Sequence, residues 1–383
     1  MKEALISQFT ERYQKEPAAT YFTPGRVNLI GEHIDYNGGL VLPAAITLGS
    51  TLCIAPNEDN VFRFKSLNFP ESFEVPVSDA YQKQGKGWFN YPLGIINQMT
   101  SEGKIIKGFD FLFHGNIPVS SGLSSSASIE VLTAYALNDM LDFGYTKLEL
   151  VLLSQKTENE FIGVNSGVMD QFAVAFGEKE KAILLNCDTL KHIMVDCNLG
   201  NYNVAIINTN KSRDLADSKY NERVEECSQA LKALNQEITL HNLCELTEEK
   251  FALHKHLITD PIILNRATHV VTENDRVQHA AKALSEQNVE EFGRLMYASH
   301  QSLRELYEVS GKELDAIVDF CKEYPQVIGA RMTGAGFGGC AIALLEKGYE
   351  DEFKTALNTY YEAQIGYAAD VYISEIGDGA RKI

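Results

Sequence analysis

Apolar side chains at Ile129, Leu132, Tyr135, Ala136 and Met140 recur at three- and four-residue steps, the period of an amphipathic helix. The spacing predicts a helix over 125–141, entered from the small-residue loop Pro118-Val119-Ser120-Ser121-Gly122-Leu123-Ser124. A second helical pattern covers Leu148 to Phe161, a turn-rich stretch spans 163–167, and a further helix opens at Met169. Before these, the chain reads as strands and turns. Tyr21 and Phe22 lead into a Pro24-Gly25 turn, Val41–Ile46 and Thr51–Ile54 are β-branched runs, Val61–Phe64 alternates, and Phe109–His114 ends at the serine loop. Val204–Asn208 is another strand. From about Leu215 long helical patterns take over, through Leu234 and again across Arg276 to Tyr307, before strands return at Cys340–Leu345 and Val371–Ile373. The fold class expected is α+β in two halves, an N-terminal domain over 1–200 and a C-terminal domain over 201–383.

Composition narrows the function classes. A chain of 383 residues with 45% hydrophobic content can bury a large core. Residues Met1 to Lys15 mix Lys, Glu and Arg among Ile6, Phe9 and Tyr13, an amphipathic helix rather than a secretory signal. No apolar run approaches membrane-spanning length, so a cytoplasmic protein is expected. The seven cysteines lack C-x-x-C spacing and suit reduced thiols. A formal net charge of −18 argues against nucleic acid or an anionic membrane as partner. An anionic ligand must then be met by local dipoles, a metal and single cations.

Three segments supply candidates for that chemistry. At the start of the 125–141 helix the first amides lack partners within it, and small side chains let an anion approach; a phosphate is the natural guest. Ser124, Ser125 and Ser126 carry hydroxyls that either cap the helix or take a place on a metal bound to the phosphate, and an ordinary serine-rich cap is the plain alternative. The second segment sets Arg26, Asn28, Glu32, His33 and Asp35 among glycines, a mixture of donors and acceptors suited to a polyhydroxylated ligand or, more simply, a polar turn. In the third, Glu158 and Asp170 come from successive elements, one able to hold a cation and the other to accept a proton, unless each is only an acid at a helix end. Gly334-Ala335-Gly336-Phe337-Gly338-Gly339 satisfies G-x-G-x-x-G, but a strand rather than a helix follows it, which excludes the dinucleotide reading.

Pro24-Gly25-Arg26-Val27-Asn28-Leu29-Ile30-Gly31-Glu32-His33-Ile34-Asp35-Tyr36-Asn37 resembles the galactokinase signature, within the GHMP family of small-molecule kinases. The stretch from Pro118 through Gly122-Leu123-Ser124-Ser125-Ser126-Ala127-Ser128 resembles that family's ATP-binding motif, and Arg331-Met332-Thr333-Gly334 onward to Cys340 its third motif. The resemblance implies two α+β domains with the active site in the cleft between them. It implies ATP as co-substrate, its phosphates over Ser120, Ser121, Gly122, Leu123, Ser124, Ser125 and Ser126, with Ser66 a further contact. Mg²⁺ would be held by Ser126 and Glu158. Galactose would be gripped by Glu32, His33, Ile34, Asp35, Gly167 and Tyr220, with Asp170 as base and Arg26 the cation beside it. The expected reaction is phosphorylation of the C1 hydroxyl of α-galactose by a monomer. Ile34 stands where the family usually has Thr, Ser120 and Ser121 where it has Gly and Ala, and Ala335 where it has Gly. Two alternatives stay open: a non-catalytic galactose and ATP sensor, against which the intact Ser126-Ala127 pair speaks, and an N-acetylgalactosamine kinase.

Overall fold

A computed structural model describes the chain except Met1, Val119 to Ser121, Asn165 and Ser212 to Leu215, and the side chains of Ala216 to Ser218. Helix α1 (Lys2–Tyr13) buries Leu5 and Phe9 against Cys53, Ala55 and Leu112. Strands β1 (Ala19–Asn28), β2 (Leu40–Val41), β3 (Pro43–Pro56), β4 (Val61–Ser66) and β5 (Ser72–Pro76) follow, then α2 (Asn90–Ser101) and β6 (Phe109–Gly115). Next come α3 (Ser125–Leu141), α4 (Lys147–Lys156), α5 (Met169–Phe176), β7 (Lys181–Asn186) and β8 (His192–Asp196). The remainder comprises β9 (Tyr202–Asn208), α6 (Ala216–Leu234), α7 (Glu248–His254), α8 (Pro261–Ser285), α9 (Val289–Ser302) and α10 (Gly311–Glu323). It ends with β10 (Val327–Thr333), β11 (Cys340–Glu346), α11 (Glu350–Ile365), β12 (Asp370–Ser374) and β13 (Arg381–Lys382).

The described strands form a six-stranded sheet ordered β13-β1-β3-β6-β4-β5, a four-stranded sheet β10-β11-β9-β12 and a three-stranded sheet β2-β7-β8. The alternation expected from Val61 places Phe62 and Phe64 on the buried face, where Phe64 stacks on Phe111 with ring centroids 5.0 Å apart. Helix α3 crosses this face. Because it is apolar on nearly every side, Val131, Leu132, Ala134, Ala136 and Leu137 are all buried, and the helix serves as an internal strut. The chain end returns to the first sheet, Phe22 pairing with Arg381. No described helix is long and apolar enough to cross a membrane.

Three expected elements differ in the fold. Pro24-Gly25 is not a turn but lies inside β1, where the pairing with β3 slips between Pro24 and Arg26; a bulge accommodates a proline that cannot complete a ladder. The helix read over 148–161 is α-helical only to Lys156, then widens into a π-helical turn, Thr157–Ile162, closed by Gly163 in the left-handed region. The pattern from Arg276 to Tyr307 is two helices, broken where Gln287 adopts a positive φ and Asn288 caps α9 by accepting from the Glu291 N–H.

Candidate active site

The serine loop meets β1 at van der Waals distance. A side chain at Gly25 would place its Cβ 2.7 Å from the Leu123 carbonyl oxygen, so only glycine lets the two backbones touch. Arg26 completes the seam, its backbone N–H donating to the Leu123 carbonyl at 3.2 Å and its Nη1 to the Gly122 carbonyl at 2.7 Å. Ser124, at φ 61° and ψ 45°, stands just before α3 and does not cap it. Its hydroxyl instead donates to Asp170 Oδ2 at 2.6 Å, while the Ser126 hydroxyl donates to Glu158 Oε1 at 3.1 Å. Capping is therefore corrected for Ser124, whose hydroxyl is drawn to a nearby carboxylate, the stronger acceptor. Ser125 opens the helix, half-buried. Ser120 and Ser121 lie outside the described residues.

Asp170 occupies the first turn of α5, and Arg26 reaches its Oδ1 with both Nε and Nη2, each at 2.7 Å. Glu158 hangs from the π-helical turn and also accepts from the Ser166 hydroxyl at 2.9 Å and from Gln171 Nε2 at 2.6 Å. Burial raises its pKa, with the charge of Asp170 adding to the rise, while the three hydrogen bonds lower it. Behind it, buried Glu130 approaches the same Gln171 amide at 3.5 Å, and burial followed by the Glu158 charge holds its carboxyl well above the usual range. A buried acid pair of this kind favours a neutral Glu130 and suits a cation beside Glu158.

A cleft of about 380 Å³ opens beside these groups, within the range of small-molecule sites. Arg26, Glu32, His33, Asp35, Gly167, Asp170 and Tyr220 line it, with Gly334 and Ala335 from the β10–β11 loop. A side chain at Gly167 would displace Asp35, since a Cβ there would lie 2.8 Å from Asp35 Oδ2. Burial pushes the Asp35 carboxyl up to about 6, Asp170 adding to the effect. Glu32 is anchored from behind: Oε1 accepts from the Gly334 N–H at 3.0 Å and Oε2 pairs with Arg331. Two further expected site residues lie outside the lining of this cleft. The Ile34 side chain is wholly buried in the core, and Ser66, also buried, closes a turn by accepting from the Asn68 N–H at 3.1 Å.

Sequence reading assigned no role to Arg331, Glu130, Ser166, Gln171 or Glu273. A signal was present for two of them. Arg331 interrupts the apolar strand β10, and Glu130 sits between Ile129 and Val131 on the buried helix α3. A charge inside an apolar element implies a buried partner or a neutral form. The glycine-rich segment 334–339 joins antiparallel β10 and β11 as a hairpin loop, in keeping with the exclusion of a dinucleotide fold.

Residues 7–56 match the family described as the galactokinase galactose-binding signature, residues 90–178 the GHMP kinases N terminal domain and residues 280–363 the GHMP kinases C terminal. The chain is 50% identical to a galactokinase of Clostridium tetani over 99% of this chain and 97% of the relative. It is also 50% identical to a galactokinase of Enterococcus faecalis over the whole of both. The crystal structure of Lactococcus lactis galactokinase complexed with galactose superposes with a TM-score of 0.94 at 46% identity, covering 100% of this chain and 99% of that one. A mevalonate kinase structure, at 22% identity and a TM-score of 0.70 over 94% of this chain and all of that one, shares the fold. With relatives this similar along its full length, and motifs and cleft in one continuous structure, the chain belongs to the galactokinase family of GHMP kinases.

Proposed function

We propose that this protein transfers the γ-phosphoryl group of ATP to the C1 hydroxyl of α-galactose, releasing galactose 1-phosphate and ADP. The observation that carries the reading is the position of Asp170: it lines the cleft and is bonded both to Arg26 and to Ser124 at the mouth of α3. Phosphoryl transfer asks mainly for alignment and charge stabilisation, and those parts meet at this carboxylate. In the proposed reaction the O1–phosphorus bond forms as the bond to the β–γ bridging oxygen breaks, and Asp170 takes the hydroxyl proton. Arg26 and the amides at the mouth of α3 face the charge developing on the phosphoryl oxygens.

Glu32, His33, Asp35, Gly167 and Tyr220 form the proposed galactose subsite. The ATP phosphates would lie over 120–126. Ile34 and Ser66 contribute through packing and turn geometry in this reading.

The residues fit an Mg²⁺ ion: Ser126 and Glu158 offer hard oxygen donors 3.1 Å apart, and one carboxylate plus substrate phosphate is the usual magnesium environment. When bound, the ion supplies charge neutralisation across the phosphates. We also propose a monomeric cytoplasmic enzyme, with the domains dividing near residue 200, between β8 and β9.

Incubation with ATP and, in turn, galactose, 2-deoxygalactose, glucose and N-acetylgalactosamine tests the assignment by ADP release. Galactose is expected to be preferred. Preference for N-acetylgalactosamine or glucose would overturn the sugar, and no ADP with any of them would overturn the enzyme.

A further inference from the structure

His33 is held in the left-handed region at φ 64°, an uncommon conformation for a non-glycine residue, and its ring is gripped from both sides. Nε2 lies 3.1 Å from the Ala335 carbonyl oxygen and Nδ1 2.9 Å from the Tyr36 hydroxyl. A carbonyl only accepts, so Nε2 must carry hydrogen. Burial, with His269, Arg223 and Arg331 adding to it, pushes the ring's pKa down to about 3, which leaves it neutral at physiological pH. Nδ1 is then a lone pair, and Tyr36 donates to it.

The direction propagates. Once its hydrogen points to His33, Tyr36 accepts from the Tyr307 hydroxyl, 2.8 Å away. Tyr307 in turn accepts from the Cys227 thiol at 3.0 Å. His33, Tyr307 and Cys227 are buried and Tyr36 is half-buried. The rings of Tyr307 and Tyr220 pack on His33 with centroids 4.9 and 5.5 Å from it.

We propose that Tyr36, backed by Tyr307 and Cys227, is a positioning residue that fills His33 Nδ1 and, together with the Ala335 carbonyl at Nε2, holds the ring as the Nε2–H tautomer, so that this wall of the cleft presents no free ring lone pair. A sugar hydroxyl arriving at His33 therefore finds no ring acceptor. The same N–H ties the glycine-rich loop at Ala335 to the cleft. This inference rests on the galactose reading of the cleft, but its first test does not.

Nitrogen-15 NMR of the wild-type protein labelled at histidine reads the tautomer without any turnover. His33 is expected to appear neutral, with hydrogen on Nε2 and a bare Nδ1, throughout pH 6 to 8. An Nδ1–H tautomer or an imidazolium would overturn the proposal even if galactose is phosphorylated. In the full-length enzyme, Tyr36→Phe is expected to raise the galactose KM roughly tenfold, about one buried hydrogen bond, with kcat near wild type. Cys227→Ser keeps a donor at the head of the chain and is expected to leave KM unchanged. A Tyr36→Phe enzyme with wild-type KM, or one losing kcat instead, would also overturn the assignment; failure to release ADP in the wild type would count against the galactokinase reading alone.

Discussion

Arg26 places two nitrogens on a single oxygen of Asp170, Nε and Nη2 both 2.7 Å from Oδ1. Among the described residues the other oxygen takes the Ser124 hydroxyl alone, at 2.6 Å, so lone-pair capacity is left on the side bonded to the phosphate loop. A carboxylate steered in this way is suited to take a proton at one oxygen while the other stays paired. Asp170→Asn keeps the shape and removes the basic charge. We expect turnover to fall by about a hundredfold or more, with galactose affinity nearly retained, as read by steady-state kinetics and by calorimetric titration with galactose. Turnover like the wild type would remove Asp170 from the base role.

Gly167 tests whether the cleft is shaped for its ligand. The added methyl of Gly167→Ala would sit 2.8 Å from Asp35 Oδ2 and push that carboxylate off its present position. Displacement of a binding group by a fraction of an ångström to one ångström costs up to about a hundredfold, so the galactose KM should rise by about ten- to a hundredfold. The melting temperature is expected to change little because Gly167 is only half-buried at the cleft edge. An unchanged KM would show that Asp35 does not touch the sugar.

Asp35 also predicts a pH dependence. Its pKa is raised from 3.8 to about 6, chiefly by burial. Between those values the folded chain binds a proton that the unfolded chain does not, so this group's contribution to stability is full at low pH and is lost as pH rises through about 6. Sugar binding runs the opposite way, because accepting from hydroxyls needs the ionised carboxylate. The galactose KM should rise as pH falls through about 6, and the profile should flatten in Asp35→Asn. A KM independent of pH from 5 to 8 in the wild type would contradict this.

Arg331 is wholly buried between two acids, pairing with Glu32 and lying 3.7 Å from Glu273 Oε1. Burial pushes Glu273 up, but Arg276, His269 and Arg331 outweigh it and hold the carboxyl at about 2. Arg331→Met leaves Glu32 buried without its cation. Breaking a buried pair from one side costs about 3–5 kcal/mol, which should appear as a lower denaturant midpoint at constant slope. Because Glu32 also holds the Gly334 N–H, the galactose KM should rise in the folded fraction. A midpoint like the wild type would show that the pair is not part of the stable core.

Local pattern by itself determined much of this protein. The three- and four-residue spacing from Ile129 to Met140 marked α3 with the bounds Ser125 and Leu141, because backbone geometry sets residues three and four apart on one face of a helix whatever surrounds it. The strand after Gly339 was likewise legible from Cys340 to Leu345, which is enough to exclude a dinucleotide fold, whereas β10 and its hairpin with β11 came only with the tertiary structure. The candidate charged groups Arg26, Glu32, Asp35, Glu158 and Asp170 stood out as polar residues beside glycines and helix ends.

Only the tertiary structure decided where their bonds go. That Ser124 turns to Asp170 instead of capping α3 depends on a carboxylate 46 positions away in sequence. That β1 runs on through Pro24-Gly25 depends on β3 being there to pair across a bulge. The clamp of Arg331 on Glu32 joins residues 299 positions apart, and the raised pKa of Glu130 follows from burial beside Glu158. Periodicity is a property of a short stretch of chain, whereas desolvation and charge pairing arise between stretches that only folding brings together, so no reading of neighbours along the sequence contains them.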